Sequence, residues 1–396
     1  MRIEAIRLKN FKCFRDAKME RIPGLCILVG ANGTGKSTLF NVFAFLREAF
    51  SSNIHTALTR MGGGRGLQEV RSRNTRGPVE IELKFRVKSD KPLATYALAI
   101  DEVDGQPVVS REVLRYRRGS HGKPWHFLDF SKGQGYAVTN ELDQVTDENQ
   151  LKREEQTLKA PDILAIKGLA NFERFPVVKE LGNLIENWHI SDFHINRARP
   201  EREAGYAEHL STEGENLSLV IQFLYSRHRA IFDRMLDRLA ARVPGISGVK
   251  AKTTEEGRVL LQFQDSAFKD PFLARYVSDG TIKMLAYLTL LYDPKPRPLL
   301  CVEEPENQLY PSLLEELAEE FRAYTQGGGQ VFISTHAPDL LNAARIDEVF
   351  WLTKEQGYTQ IHRAQDDDQL AAFMAEGDKM GYLWRQGLFK GAGPRL

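Results

Sequence analysis

The chain has 396 residues, 42% hydrophobic and 27% charged, a composition that excludes disordered, collagen-like and coiled-coil chains and predicts a soluble globule of roughly two to three units of ~150 residues, or one unit with a large insertion. Its 54 Lys and Arg against 53 Asp and Glu leave a formal charge of +1, so no overall field commits it to nucleic acid or to a membrane surface. The longest nearly apolar run, Met284 to Tyr292, is too short to cross a bilayer, Met1 opens into an alternating segment rather than a signal peptide, and Cys13, Cys26 and Cys301 lack a second Cys or His at ligand spacing, which together predict a cytoplasmic protein without disulfides or zinc.

Ile3, Ile6 and Leu8 alternate with charges and predict a strand with one exposed face, whereas Leu25-Cys26-Ile27-Leu28-Val29 is a continuous apolar run that predicts a strand covered on both faces. Further period-two segments run over 79–87, 95–100 and 109–116, separated by Lys-Pro and Asp-Gly-Gln-Pro turn signals. The N-terminal portion therefore reads as a β-rich lobe.

From Asp147 to Val243 the pattern becomes helical, clearest where Leu217, Val220, Ile221, Leu224, Ile231, Met235 and Leu239 recur three and four apart between Gly214 and Pro244-Gly245. We expect one helical insertion over 146–245 in an α/β head formed by 1–145 and 246–396, because so long a loop rarely lacks structure of its own. The α/β texture resumes with a strand over 258–264, a helix over 281–292, a short buried strand over 298–302, a helix opened by Pro311 and ended by Gly327-Gly328-Gly329, and a second buried strand over 330–334. Alternation of buried strands with helices predicts a parallel sheet, and 348–353 with 358–363 reads as a closing hairpin.

Gly30-Ala31-Asn32-Gly33-Thr34-Gly35-Lys36-Ser37-Thr38 fits the phosphate-loop pattern and lies between a buried strand and a helix. Its glycines let successive N–H groups point at phosphate oxygens, and the helix N-terminus adds positive potential. Lys36 would neutralise the β and γ phosphates, and Ser37 would offer its hydroxyl oxygen to Mg²⁺. Downstream, Leu299-Leu300-Cys301-Val302 ends in the paired acids Glu303 and Glu304. Consecutive side chains at a strand end diverge, so Glu303 is the metal-side candidate and Glu304 the general base or water-positioning residue. His336 follows the next buried strand and is aimed by it at the same crevice. Val277-Ser278-Asp279-Gly280-Thr281 heads a helix, where Ser278, Gly280 and the helix dipole form a second anion site.

In this order the four elements resemble the ABC-type ATPase heads of RecF, of structural-maintenance-of-chromosomes (SMC) proteins and, most closely, of stand-alone AAA-family ATPases related to the heads of OLD (overcoming lysogenization defect) nucleases. Ile6 to Phe14, Gly214-Glu215-Asn216-Leu217 and Glu303-Glu304-Pro305-Glu306-Asn307 look like recurrent motifs of that group. The resemblance implies a P-loop NTPase of ABC-head type that uses ATP and Mg²⁺, in which Ser278 to Gly280 match the signature contacting the nucleotide of the other protomer of a head-to-tail homodimer. It further implies that Lys12 approaches the nucleotide. Gln308-Leu309-Tyr310 departs from the usual Gly-Leu-His, and Gln68 is the nearest candidate for the glutamine loop.

The chain beyond His336 is too short for the additional metal-dependent domain of the related nucleases, so no intrinsic nuclease is expected, and Asp366-Asp367-Asp368 reads as a solvated charge run. Basic clusters at Arg65, Arg71, Arg73 and Arg76, at Arg111, Arg115, Arg117 and Arg118, and at Arg197, Arg199 and Arg202 read either as nucleic-acid phosphate contacts or as ordinary surface charge, the balanced total favouring the latter. His121 and His126 flank Trp125 without a third ligand and read as loop residues. The expected function is an ATP-switched dimerising ATPase acting on a protein effector in DNA maintenance or anti-phage defence. A nucleotide-gated scaffold that hardly hydrolyses ATP while holding a toxin or nuclease partner is the alternative, and a transporter motor is disfavoured by the Val-Ser-Asp-Gly signature.

Overall fold

Period-two alternation in the N-terminal lobe becomes an eight-stranded antiparallel sheet in the computed structural model, which describes residues 1–62, 64, 66–87, 91–117, 123–141, 145 and 147–392. Its strands are, in spatial order, Phe14–Glu20, Arg2–Phe11, Val79–Arg86, Leu93–Val103, Gln106–Tyr116, Trp125–Ser131, Gln134–Val138 and Arg153–Thr157. Along Val79–Arg86 the alternation is complete: Val79, Ile81, Leu83 and Phe85 are buried while the charged residues between them reach solvent. Burying one face of each strand sets the register, since a slip of one residue would exchange the faces.

The chain divides into two compact units. The first comprises Met1–Trp188, Arg345–Asp378 and Leu383–Leu396. It holds the antiparallel sheet and the strand Leu25–Val29, every residue of which is buried. That strand runs parallel to Val349–Glu355, which returns antiparallel as Tyr358–Arg363. The helix Lys36–Ser51 follows the buried strand and buries Phe40, Phe43 and Phe45, with Phe43 edge-on to Trp188 at 5.1 Å. Such aromatic packing removes much of the apolar surface that drives collapse of this unit.

The second unit comprises His189–Ala344 and Lys379–Tyr382. Its buried strands Leu299–Glu303 and Gln330–Ser334 pair in parallel, Glu303 opposite Ser334, so both chains leave the pair at the same end. Between them runs the helix Ser312–Gln326, begun at Pro311 and stopped at Gly327. The helix Asp279–Leu291 is buried at every position from Thr281 to Leu291. A smaller sheet of Arg202–Glu203, Ile246–Thr253, Arg258–Asp265 and Phe272–Leu273 completes the unit with the helices Leu217–Arg227 and Arg229–Arg242.

The structure departs from the expected helical insertion in two respects. Residues 146–245 are shared between the units: Arg153–Thr157 is the last strand of the large sheet, paired with Gln134–Val138, and only from His189 onward does the stretch belong to the second unit. The periodicity around Leu217 to Leu239 is carried by two helices rather than one, broken at His228. The His228 N–H still bonds to the Leu224 carbonyl, while its own carbonyl accepts from Ile231 and Phe232 to start the next helix. Because only one residue intervenes, the apolar positions stay nearly in phase and the pattern does not register the break.

Candidate functional site

In the first unit, the loop from Gly30 to Lys36 leaves the end of the buried strand Leu25–Val29 and enters the helix Lys36–Ser51. Gly35 immediately precedes that helix at φ +106°, and a Cβ there would lie 2.7 Å from Cys13 Sγ and 2.9 Å from Thr359 Oγ1. Only glycine satisfies both the backbone and the contact. Thr34 holds the loop curled: its Oγ1 donates to the Ala31 carbonyl at 2.9 Å, and its own carbonyl accepts from Thr359 Oγ1 at 2.6 Å. Lys36 is buried, and its side chain folds back over the loop so that Nζ donates to the Gly30 carbonyl at 2.8 Å and the Ala31 carbonyl at 3.3 Å.

Asn32, Gly33 and Ser37 are exposed, Thr38 is half-buried, and the Gly33 and Gly35 N–H groups donate to no acceptor among the described residues. Free N–H groups, an ammonium and a helix N-terminus in one turn form an anion receptor. Lys12 belongs to the same unit, at φ +48° beside Cys13, with its N–H bonded to the Val70 carbonyl at 2.6 Å. Burial lowers its pKa, against the opposing pull of Cys13 and Glu69. It makes no ion pair among the described residues, so a nearby anion would be a favourable neighbour. Gln68 is an exposed residue of the single turn Leu67–Val70.

In the second unit the paired acids and His336 stand together at the ends of neighbouring parallel strands. Glu303 closes its strand, and Glu304 turns at φ +41° with its N–H bonded to the Ser334 carbonyl at 2.8 Å. A left-handed backbone at a non-glycine residue costs about 1–3 kcal/mol and persists only when its surroundings hold it. Two contacts orient the Glu304 carboxylate: Asn307 Nδ2 donates to Oε2 at 2.9 Å, and His336 Nε2 lies 3.6 Å from Oε1. Glu306 ties the two strand ends together, its Oε1 accepting from Thr335 Oγ1 and from the His336 N–H, both at 2.8 Å. Glu306 and Thr335 were not among the residues the sequence singled out for chemistry, although Glu306 lies two residues after Glu304 and Thr335 immediately precedes His336.

Ser278 caps the helix Asp279–Leu291: its Oγ accepts from the Thr281 N–H at 3.2 Å and lies 2.8 Å from Thr281 Oγ1. A Cβ on Gly280 would fall 2.8 Å from the Gln308 carbonyl, so glycine there lets the loop after the paired acids approach the helix closely. In front lies a cleft of ≈ 860 Å³ lined by Ser278, Gly280, Gln308, Leu309 and Tyr310, the last 72% exposed.

Five arginines of the basic clusters pair with carboxylates. Arg71 pairs with Asp101 at 2.9 Å, Arg111 with Asp129 at 3.0 Å, Arg115 with Glu82 at 3.4 Å and Arg197 with Glu213 at 2.7 Å. Arg199 pairs with Asp279 and donates to the Val277 carbonyl at 2.7 Å, which pins the start of the serine-capped helix, and Arg202 donates to the Glu215 carbonyl at 2.7 Å. Arg73, Arg76 and Arg117 are exposed, whereas Arg65, Arg118 and His121 lie outside the described residues. Within the triplet 366–368, Asp367 caps the following helix through the Gln369 and Leu370 N–H groups, and Asp366 pairs with Arg21.

The protein family described as "AAA domain, putative AbiEii toxin, Type IV TA system" matches residues 25–342. No curated protein sequence matches the chain. Among solved structures, an SMC head bound to the C-winged helix domain of ScpA superposes with a TM-score of 0.55 at 14% identity, covering 91% of this chain and 98% of that one. An SMC head with an extended coiled coil, bound to the C-terminal domain of ScpA derived from Pyrococcus furiosus, gives a TM-score of 0.54 at 12% identity over 94% and 98% of the two chains. The fold is that of an SMC head domain. The chain belongs to the AAA-domain family whose description it matches.

Proposed function

We propose that this member of the AAA-domain family binds and hydrolyses ATP and uses the cycle as a conformational switch. The observation that carries the reading is the loop of the first unit, where unbonded Gly33 and Gly35 N–H groups, Lys36 and a helix N-terminus converge. Gly30, Asn32, Gly33, Thr34, Gly35, Lys36, Ser37 and Thr38 hold the triphosphate, and Lys12 approaches it. Ser37 and Glu303 supply oxygen donors suited to Mg²⁺, which contributes charge neutralisation on the phosphates.

Glu304 accepts a proton from the attacking water as the water oxygen bonds to the γ-phosphorus and the bond to the β–γ bridging oxygen breaks, giving ADP and phosphate. Its carboxylate is already aimed by Asn307 and His336, and in our reading His336 and Lys36 each offset the charge that develops on the transferred group. Ser278 and Gly280 form an exposed anion receptor with an open cleft before it. In our reading it completes the site of a second copy, so that ATP joins two chains head to tail.

Glu304→Gln tests this. Phosphate release should fall about 10²–10⁴-fold, and ATP with magnesium should convert the variant to a species of twice the 45.0 kDa chain mass in light scattering. A variant that stays monomeric with ATP refutes the composite site, and one that hydrolyses at the wild-type rate refutes the role of Glu304. Effector binding, in DNA maintenance or anti-phage defence, is the output we assign to the switch. Affinity capture on the ATP-trapped Glu304→Gln chain should retain a protein that the ADP-bound chain releases.

A further inference from the structure

The helix Asp279–Leu291 carries one buried ammonium, Lys283, five residues after the serine cap and 4% exposed. Its Nζ donates to the Asn307 carbonyl at 2.7 Å and lies 5.8 Å from the centre of the Tyr287 ring. The side chain of the same Asn307 donates to Glu304 Oε2 at 2.9 Å. A chain of two hydrogen bonds therefore joins the serine-capped helix to the carboxylate placed in the proton-accepting role.

The rest of the loop makes this chain consequential. Glu304 and Gln308, on either side of Asn307, both have positive φ, at +41° and +68°. Such a loop holds its shape only while external contacts over-determine it. Lys283 supplies one of these from the helix, and Gly280, one turn earlier, supplies the close approach to the Gln308 carbonyl. Glu306, between Glu304 and Asn307, keeps Oε2 buried without a hydrogen-bond partner among the described residues, and its charge acts on the Lys283 ammonium from the same loop.

We propose that Lys283 is a positioning residue that couples the serine-capped helix to Glu304 through Asn307, so that an anion arriving at Ser278 sets the carboxylate in its working geometry. This rests on the hydrolytic reading above and assigns that site a means of regulation. Burial lowers the Lys283 pKa to about 8, while Glu306 and then Glu304 pull it upward, as expected of an ammonium held for its position at a cost in solvation.

The test compares Lys283→Met, Lys283→Arg and Asn307→Leu, the last cutting the second link while keeping the carbonyl that accepts from Lys283. ATP affinity is measured by equilibrium titration with a fluorescent ATP analogue, and turnover by phosphate release. Displacing a catalytic group by about 1 Å costs on the order of 10²-fold in rate, so Lys283→Met and Asn307→Leu should each lower kcat roughly 10- to 100-fold, with affinity within about twofold of wild type. The double variant should fall no lower than the worse single one, and Lys283→Arg should recover part of the loss.

Additive losses in the double variant, or equal losses of affinity and kcat, overturn the relay in favour of a merely structural lysine. If Lys283→Met does not fold, Asn307→Leu with unchanged kcat overturns it alone. A wild-type chain without turnover, or a Glu304→Gln chain with full turnover, would instead sink the hydrolytic reading, so the two failures remain distinct.

Discussion

Glu112 offers a quantitative test of how the first unit is held together. Its carboxylate is fully buried, accepts from the Ala165 and Ile166 N–H groups at 2.5 and 3.1 Å and from the Tyr96 hydroxyl at 3.1 Å, and so joins the large sheet to the turn of helix at Ala165–Leu169. Burial raises its pKa from 4.5 to about 7, against the opposing effect of these three donors. A folded-state value above the unfolded one means that the folded protein binds the proton more tightly. The associated stability is therefore complete below pH 4.5 and is lost as the pH rises to about 7.

At ~1.4 kcal/mol per pKa unit the loss is about 3 kcal/mol across that window. Glu112→Gln carries no ionisable group and keeps one acceptor oxygen for the helix N–H groups. Urea unfolding at pH 5 and pH 8 should show the wild type losing about 3 kcal/mol more than the variant. Parallel pH profiles for the two proteins would refute the argument, because they would place Glu112 in an environment that solvates its charge as water does.

Two further outcomes follow from packing. Gly35→Ala should destabilise the chain by about 2–5 kcal/mol, from the left-handed backbone and the clash with Cys13 together. Adding Cys13→Ala should recover only the part due to the Cys13 sulfur, leaving the backbone strain and the 2.9 Å approach to Thr359 Oγ1, which urea unfolding of the single and double variants would show. In the second unit, Arg242 and Glu320 form a buried ion pair at 2.6 Å with side chains 7% and 8% exposed. Arg242 keeps Glu316 at 3.1 Å and the Arg238 carbonyl at 3.0 Å when Glu320 is removed, so Glu320→Ala should cost about 1–3 kcal/mol, from the lost pair and the Tyr292 hydroxyl left without its acceptor, and adding Glu316→Ala should raise the loss to about 3–5 kcal/mol by the same measurement.

Much of the architecture was legible in the residues because it rests on local rules. The five apolar residues of Leu25–Val29, the glycines that follow them and the start of a helix at Lys36 are a contiguous signal, and the chain adopts them in that order. The same holds for the strand ending at Glu303, the helix between Pro311 and Gly327, and the serine cap, where hydrogen bonds close within three or four residues. What remained hidden involves partners distant in sequence. Arg153–Thr157 became a strand because the edge of a seven-stranded sheet offers it hydrogen bonds, although its own residues are charged and mostly exposed. Arg71, Arg111, Arg115 and Arg197 looked unpaired in the sequence because Asp101, Asp129, Glu82 and Glu213 lie elsewhere in the chain.

Sequence by itself determined which chemical groups are present and which short segments hold them: a phosphate-binding turn, two adjacent carboxylates, a histidine and a capped helix. Tertiary structure decided which of these groups touch. It set Asn307 and His336 on Glu304, Glu306 beneath His336 and Lys283 beneath Asn307. Local propensity acts over a few residues, whereas a carboxylate is oriented by whichever donors the packed chain brings within about 3 Å of it.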